Sequence, residues 1–357
     1  MRLARPLVLL VLFGALLAPA ASAQDQQTVR LFFTAGEQFE TVERKLPATG
    51  TTLLPTLRAL LKGPSATERG RDIDTQIPRG VRIERIVLTG RGAAVVELSA
   101  AFLGQIPADP AQRSEAQTAT LSARLAQVTY TVTQFGDIRR AEVRSGGVTL
   151  DGDLERGDFT KPRGRPPVEK PPPGPPVAGT REVQERLVQL GYLPASAVDG
   201  LFGYRTQQAV MAFQSWEGLG RDGIVGPATT AALSTARRPR PRRGAGPRRR
   251  IEVYRAKGVA LLVRGGRTLR AVHVSTGAGV NATPTGRYKV FRKELHSWSV
   301  PFSVWLPYAS YFNNGIAFHE YADVPPFPAS HGCVRVPAPE APFVYEFASF
   351  GTTVVVF

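Results

Sequence analysis

The sequence predicts a multidomain protein with an α+β domain, a small three-helix domain and an all-β, sandwich-like domain. Three observations predict this fold class. A chain of 357 residues is too long for one ordinary domain. Its hydrophobic content of 43% is that of a globular protein. Two segments of unusual composition, 151–178 and 237–250, divide the chain into three parts whose apolar periodicity differs.

The N-terminus has the features of a secretory signal. Arg2 and Arg5 precede an apolar run at 7–17, and small residues at 21–23 fit a cleavage site. The run is short for a membrane span. We therefore expect residues 1–23 to be a signal peptide, the protein to be secreted and extracytoplasmic, and no transmembrane segment to be present.

Residues 28–150 have a mixed pattern, which predicts the α+β domain. Strand-like residues at 29–33 are followed by leucines at helical spacing in 52–61, which stop at Gly63-Pro64. Segments 81–88 and 94–98 predict a hairpin, 118–128 a helix, and the last strand ends near Leu150. We find no cluster of acid, base and nucleophile here, which favours a non-catalytic role.

This part resembles the GerM-N domain of spore-germination, sporulation and cell-envelope proteins. The resemblance rests on 57–64 (LRALLKGP), 77–80 (IPRG), 96–99 (VELS) and Phe102. It implies an envelope-associated binding module. Residues 151–178, with eight prolines, predict an extended spacer between this domain and the next.

Residues 179–236 contain an internal repeat. The segment 199–206 (DGLFGYRT) recurs as 222–229 (DGIVGPAT), and each Asp-Gly pair predicts a turn. Three short helices are expected at 182–190, 205–216 and 227–233.

The same segment resembles the peptidoglycan-binding domain 1 family. The matching residues are Val183, Gln184, Leu187, Leu190, Gly191, Tyr192, Asp199, Gly200, Phe202, Gly203, Thr206, Ala209, Val210, Phe213, Gln214, Gly218, Leu219, Asp222, Gly223, Val225 and Gly226. Most of these residues form the hydrophobic core or the turns. Tyr204, Arg205 and Trp216 are offered as candidate ligand contacts.

Residues 237–250 carry half of the net charge of +16, with eight arginines and no acid. Such a run predicts a solvated linker. The alternative is ionic attachment to anionic polymers outside the cell, such as wall polymers or lipid headgroups. A nucleic-acid partner does not fit a secreted protein.

Residues 251–357 have short strand-like segments at 251–254, 258–263, 267–275, 286–291 and 352–357, divided by Gly or Pro turns. One short helix is allowed at 338–347. These features predict the sandwich-like all-β domain.

The only cysteine of the chain, Cys333, lies in the sequence 330–335 (SHGCVR). A lone cysteine in a secreted protein suggests a reactive thiol, and a nearby histidine would lower its pKa. His319 and His331 are the candidate bases. Two other interpretations remain: a zinc site of both histidines and Cys333 with Asp323, or a structural cysteine.

This region resembles the YkuD-type L,D-transpeptidase catalytic domain. Its signature is a histidine, a spacer and then Ser/Thr-His-Gly-Cys, matched here by 315–319 (GIAFH) and 330–333, with 283–286 (TPTG) as a second element. The resemblance implies that Cys333 is the nucleophile and His319 the general base. It implies no metal and no cofactor.

Further roles follow from the same resemblance. The Glu320 carbonyl would orient His319, and His331 and Gly332 would shape the oxyanion hole. Ser330 and Arg335 would support the loop. Tyr308 or Tyr311, in the aromatic stretch 298–312, would belong to a substrate lid or to the core. Two departures from the family are a spacer of only ten residues, 320–329, and Arg335 in place of a frequent asparagine.

The function implied is that of a secreted, cell-wall-associated L,D-transpeptidase. It would act on peptidoglycan stem peptides and glycan and form 3→3 crosslinks through a cysteine thioester. The alternatives are L,D-carboxypeptidase activity or D-amino-acid exchange at the same site, or a wall-anchored scaffold with vestigial catalysis.

Overall fold

The computed structural model describes residues 26–47, 52–89, 92–162, 164, 166 and 179–357. The predicted signal peptide and the proline-rich residues 167–178 lie outside these ranges. In the described part of the chain, every helix is too short or too polar to cross a membrane.

The first domain is an α+β domain, as predicted. Its elements are β1 (Gln26–Ala35), β2 (Gln38–Pro47), α1 (Leu53–Lys62), α2 (Ala66–Arg69), β3 (Ile83–Thr89), β4 (Ala93–Leu98), α3 (Glu115–Val132), β5 (Arg140–Ser145) and β6 (Val148–Leu154). Strands β1 and β2 form a separate antiparallel hairpin, and the other four form a sheet in the order β3-β4-β5-β6. Helix α3 begins at a capping box of Ser114 and Gln117 and packs its buried face into the core of this domain.

The first domain continues beyond residue 150, where the sequence predicted a spacer to begin. Strand β6 runs to Leu154, and a short 3₁₀ turn follows at Arg156–Phe159. Phe159 is buried in the core, and the Arg156 guanidinium lies 4.9 Å from the centre of the Tyr130 ring. Leu154 and Phe159 are the two apolar residues that hold this extension in the core, in a sequence otherwise rich in Gly, Asp and Arg.

The second domain consists of α4 (Thr180–Leu190), α5 (Tyr204–Glu217) and α6 (Pro227–Thr235), which confirms the three predicted helices. The repeat has a common side-chain network. Gln184 Nε2 donates to Asp199 Oδ1 at 2.8 Å, and Gln214 Nε2 donates to Asp222 Oδ1 at 2.7 Å. Each glutamine also accepts the N–H of the glycine after its aspartate. A buried glutamine thus satisfies the polar groups of each Asp-Gly turn.

The third domain is a two-layer β structure. Its elements are β7 (Arg250–Tyr254), β8 (Val259–Arg264), β9 (Arg267–His273), β10 (Gly286–Lys289), β11 (Arg292–Ser299), β12 (Val304–Asn313), β13 (Ile316–Tyr321), β14 (Val334–Pro337), α7 (Ala341–Phe347) and β15 (Thr353–Val356). The sheets have the orders β10-β15-β7-β8-β9 and β11-β12-β13-β14. Apolar side chains from both sheets and from α7 fill the space between them, which confirms the sandwich-like prediction.

The second and third domains share a hydrophobic core. Helix α5 packs on the outer face of β8 and β9, where Leu261 and Ala271 join Phe213 and Val210 in one buried cluster. The three residues offered as ligand contacts lie at this interface. Arg205 pairs with Glu340 at 2.7 Å, Tyr204 Oη accepts the N–H of Val324, and Trp216 packs edge-on against Tyr254. Their side chains are engaged with the third domain, which corrects that assignment.

The arginine-rich segment 237–250 is exposed at seven of its eight arginines, as the predicted linker would be, but it also contacts the second and third domains. Arg238 donates to carbonyl oxygens of Gln189 and Thr268, and Arg249 donates to that of Phe347. Arg250 is only 4% exposed. Several arginines of this segment are nevertheless exposed, because their stems cross the surface.

Candidate active site

Strands β13 and β14 bring the predicted nucleophile and base together. They are parallel neighbours in which His319 lies opposite Arg335 and Phe318 lies opposite Val334. Alternate residues of a strand point to the same face, so Cys333 shares a face with His319. Val334 and Phe318 point the other way, into the core between the sheets. Cys333 directly precedes β14, so the pairing of β14 with β13 sets the position of its thiol.

His319 is oriented by a backbone contact. Its Nδ1 lies 2.7 Å from the carbonyl oxygen of Glu320. Because a carbonyl oxygen accepts, we assign the proton of the neutral ring to Nδ1, which leaves Nε2 as the basic atom. This is the position that the resemblance implied for the Glu320 carbonyl. Burial lowers the pKa of His319, and the nearby Glu37 carboxylate opposes that change.

Cys333 is buried, with 0% of its surface exposed. Its Sγ accepts the N–H of Ala317 at 3.3 Å and lies 3.6 Å from the carbonyl oxygen of Gly315. Burial raises the pKa of the thiol well above its usual range, and the negative charge of Glu37 adds to this effect. In this arrangement Cys333 is a neutral thiol, which is the less nucleophilic form.

His331 does not lie in the same cluster. Its ring stacks on Phe302, with centroids 4.3 Å apart, and its Nε2 lies 3.2 Å from Thr120 Oγ1. Burial lowers the pKa of His331 to about 4, so the ring is neutral. Of the two candidate bases, only His319 offers a ring nitrogen beside the Cys333 sulfur.

The loop before Cys333 is held by hydrogen bonds from two hydroxyl groups, those of Ser330 and Thr283. Ser330 Oγ donates to the Cys333 carbonyl oxygen at 2.5 Å and accepts the N–H of Gly332 at 3.2 Å. Thr283 Oγ1 donates to the Gly332 carbonyl oxygen at 2.7 Å. Gly332 has a φ of +122°, which favours glycine. The 283–286 element thus supports the loop before Cys333.

Arg335 lies beside the cluster. Its guanidinium stacks over the Tyr321 ring at 3.8 Å, and its side chain is largely buried. It lines the same small cavity as His319 and His331.

The second domain holds the short spacer. Gln208 Nε2 donates to the Val324 carbonyl oxygen at 3.4 Å, and Arg221 donates to that of Pro326 at 3.1 Å. On the other side, Ser275 Oγ donates to the carbonyl oxygen of Phe327 at 2.7 Å. The whole connection between the parallel strands β13 and β14 is 322–333, twelve residues, which is long enough for such a crossover.

The aromatic stretch 298–312 forms most of the β11–β12 hairpin. Tyr311 is 0% exposed, and its hydroxyl lies 2.7 Å from Ser297 Oγ. Tyr311 therefore lies in the core, as the alternative had it, in one buried cluster with Cys333, and a lid role for it stays a prediction. Tyr308 is half-buried, packs edge-on against Tyr345 and has a φ of +56°. It lies against the core between the sheets and away from Cys333.

Sequence reasoning missed Glu37, which lies at the turn of the β1–β2 hairpin. Its Oε2 is 3.7 Å from His319 Nε2, and the residue is 3% exposed. No local pattern marks it, because its neighbours in space come from another domain. Asp323, proposed as a fourth zinc ligand, lines a separate cavity with Trp305.

Glu37, His319 and Cys333 carry donor atoms that all lie within 4.8 Å of one another. Carboxylate, imidazole and thiolate are the donor types that hold zinc, but ligand atoms around zinc are about 3.5 Å apart.

Cys333 is expected to titrate above the ordinary thiol range in the native chain. The midpoint of its thiolate absorbance, obtained as the difference between the chain and a Cys333→Ser variant, should lie above about 8.5. In denaturant the midpoint should return to about 8.5, since burial and the Glu37 charge no longer act. A native thiol that ionises near neutral pH would contradict the enclosed geometry.

Three family models match the chain. A model described as sporulation and spore germination matches residues 27–151, a putative peptidoglycan binding domain matches 177–233, and an L,D-transpeptidase catalytic domain matches 248–356.

Two curated relatives match over the second domain. A probable N-acetylmuramoyl-L-alanine amidase of Bacillus licheniformis is 44% identical over 57 residues, which are 16% of this chain and 16% of the relative. A second amidase of that organism is 41% identical over 62 residues, 16% of this chain and 17% of the relative. The chain thus spans about a sixth of the length of these relatives.

Solved structures of L,D-transpeptidases match a larger part. One from Xylanimonas cellulosilytica is 33% identical and covers 54% of this chain and 100% of its own, with a TM-score of 0.46. Another from Stackebrandtia nassauensis is 25% identical and covers 54% of this chain and 97% of its own, with a TM-score of 0.34. The family model over residues 248–356 assigns the third domain to the L,D-transpeptidase catalytic family.

Proposed function

We propose that the protein is a secreted, cell-wall-associated L,D-transpeptidase that forms 3→3 crosslinks in peptidoglycan. One observation carries the proposal: Cys333 and His319 lie side by side on neighbouring parallel strands, and the Glu320 carbonyl fixes the histidine tautomer. That arrangement has a nucleophile, a base and a group that orients the base.

In the first step, the Cys333 sulfur attacks the carbonyl carbon of the third residue of a tetrapeptide stem. His319 Nε2 takes the thiol proton. The oxyanion that forms is stabilised by the backbone N–H of Cys333, while the N–H of Gly332 donates to Ser330 Oγ. The bond to the terminal D-Ala then breaks, and His319 returns its proton to the leaving amine. A thioester on Cys333 remains.

In the second step, the side-chain amine of a diamino acid in a neighbouring stem attacks the thioester. His319 accepts a proton from this amine, and the C–S bond breaks. The products are a new amide crosslink between the two third residues and the free thiol. No oxidant, metal or cofactor is consumed.

The second domain supports a wall substrate, since the model that matches it is a putative peptidoglycan binding domain. Its shared core with the third domain keeps it at a constant distance from Cys333. The exposed arginines of 237–250 would add attraction to anionic wall polymers.

Incubation with purified disaccharide-tetrapeptides tests the reaction. Mass spectrometry should find a crosslinked dimer and one released D-alanine for each crosslink. A disaccharide-tripeptide as the main product would identify water as the acceptor and a carboxypeptidase instead. A product that carries an added D-amino acid would identify exchange. If the stems remain unchanged under conditions in which Cys333 reacts with alkylating reagents, the proposal is wrong.

A further inference from the structure

The turn of the first domain's hairpin lies in the candidate active site. Strands β1 and β2 pair up to Ala35 and Gln38, which leaves Gly36 and Glu37 as a two-residue turn. Gly36 has a φ of +59°, as the first position of such turns requires. We call residues 35–38 the hairpin tip.

The hairpin tip is held by specific partners in the third domain. The Glu37 N–H donates to the Gly315 carbonyl oxygen at 3.4 Å, and the Glu37 carbonyl oxygen accepts from Ser299 Oγ. Gln38 Nε2 donates to the Trp298 carbonyl oxygen at 3.3 Å. Both main-chain polar groups of Glu37 are therefore satisfied by the third domain, as for a bound peptide.

Two glycines allow this close approach. A Cβ atom on Gly36 would lie 2.7 Å from the Gly315 carbonyl oxygen. A Cβ atom on Gly315 would lie 1.8 Å from the Ala35 carbonyl oxygen. Any other residue at either position would push the two backbones apart, so the fit depends on glycine at both.

Other parts of the first domain close around the same site. Asp72 accepts from Asn313 Nδ2 at 2.7 Å, and Ser122 Oγ donates to Ser303 Oγ at 3.0 Å. Thr120 Oγ1 contacts His331 at 3.2 Å. These contacts surround the turn after β12 and the loop before Cys333, so the tip is one part of a larger docked surface.

With the hairpin tip docked, there is no room for a peptide beside Cys333 and His319. The cavity that touches Glu37, His319 and His331 has a volume of about 30 Å³. That is space for about two water molecules. Cys333 is 0% exposed. A stem peptide therefore reaches the sulfur only after the tip has moved.

We propose that the first domain is a built-in inhibitor whose hairpin tip occupies the acyl-donor site and must leave before a stem peptide binds. This inference rests on the proposed function. The Glu37 carboxylate, beside His319, stands in for the terminal carboxylate of the donor's D-Ala, and its main chain pairs with Gly315 as a peptide substrate would. Donor stems compete with the tip for the same groups, so high local peptidoglycan concentration favours the open form.

Alkylation of Cys333 measures the opening without any substrate, because the chain has one cysteine. Gly36→Ala should speed the reaction with iodoacetamide by about tenfold or more, since its Cβ atom would lie 2.7 Å from the Gly315 carbonyl oxygen and push the tip out of the site without a change of charge. Glu43→Ala removes an exposed carboxylate from the same hairpin and should react like the parent chain. Equal rates for the three proteins, each shown to be folded by circular dichroism, overturn the proposal.

The second test uses an engineered disulfide that holds the first domain in its docked position and can be reduced again. Ser122→Cys together with Ser303→Cys places two thiols across the docked surface, at positions whose hydroxyl oxygens are 3.0 Å apart. The oxidised double variant should lose crosslinking and carbapenem acylation by at least about tenfold, and reduction should restore both. Each single variant should behave like the parent. Full activity of the oxidised form overturns the inhibitor and indicates that the docked domain completes the site.

The two readouts separate this inference from the proposed function. If Gly36→Ala exposes Cys333 but no crosslinks form in any variant, the inhibitor stands and the proposed reaction fails. If crosslinks form at the same rate in the oxidised and reduced double variant, the reaction stands and the inhibitor fails.

Discussion

Replacement of Cys333 by alanine is expected to abolish crosslink formation from disaccharide-tetrapeptides, with a fall in rate of about 10⁴-fold or more. The thiol is the only group in the cluster that can hold the acyl chain, because His319 and Glu37 lack a comparable nucleophile at that position. The same variant should form no covalent adduct with a carbapenem, which intact-protein mass spectrometry would detect.

Two controls separate loss of chemistry from loss of structure. The Cys333→Ala chain should keep its thermal transition within a few degrees, because alanine fits the space of the buried thiol. His319→Gln should keep Cys333 but lose its base, and we expect a slower but measurable carbapenem adduct at high pH, where the thiolate forms unaided. A Cys333→Ala protein that still produced crosslinks would refute the assignment of the nucleophile.

Replacement of Arg250 by methionine is expected to destabilise the third domain by about 3–5 kcal/mol. Arg250 and Glu252 form an ion pair at 2.6 Å in which the side chains are 5% and 0% exposed. The Tyr254 hydroxyl also donates to Glu252, at 2.6 Å. Removal of the guanidinium would leave a buried carboxylate without its charge partner, and thermal denaturation should show the change.

Arg243→Met is the matched control, since it removes an exposed arginine of the same segment. It should leave the transition unchanged. Arg250→Met combined with Glu252→Met should recover a large part of the loss, because no unpaired charge is then buried. An Arg250→Met protein with the parent's transition temperature would mean that the segment is only a solvated linker.

The sequence predicted the secondary structure correctly where a segment had a single helical or strand-like pattern. The leucines of 52–61, the repeat of 199–229 and the strands at 251–254 and 352–357 are all confirmed. Strands β11 and β12 were not predicted as strands, because aromatic and polar residues and Pro307 interrupt their alternation. The contacts of the arginine segment were not predicted, because composition reports charge but not the carbonyl groups to which the guanidinium groups donate.

The choice of the general base between His319 and His331 shows what the sequence alone could not determine at the site. Both histidines are near Cys333 in the sequence, and the resemblance favoured His319. The geometry depends on the parallel pairing of β13 with β14, and on the second-domain residues Gln208 and Arg221 that hold the loop between them. Such pairing is a non-local contact, which periodicity does not encode.

By itself, the sequence determined the three-domain class, the single thiol and the motif around Cys333, because these depend on composition and on short-range order. Only the tertiary structure decided that His319 faces the thiol and that Glu37 lies beside both. The physical reason is that Glu37 reaches the site through the docking of two domains, where two glycines permit backbone contact. In this docked arrangement Cys333 is a buried, neutral thiol.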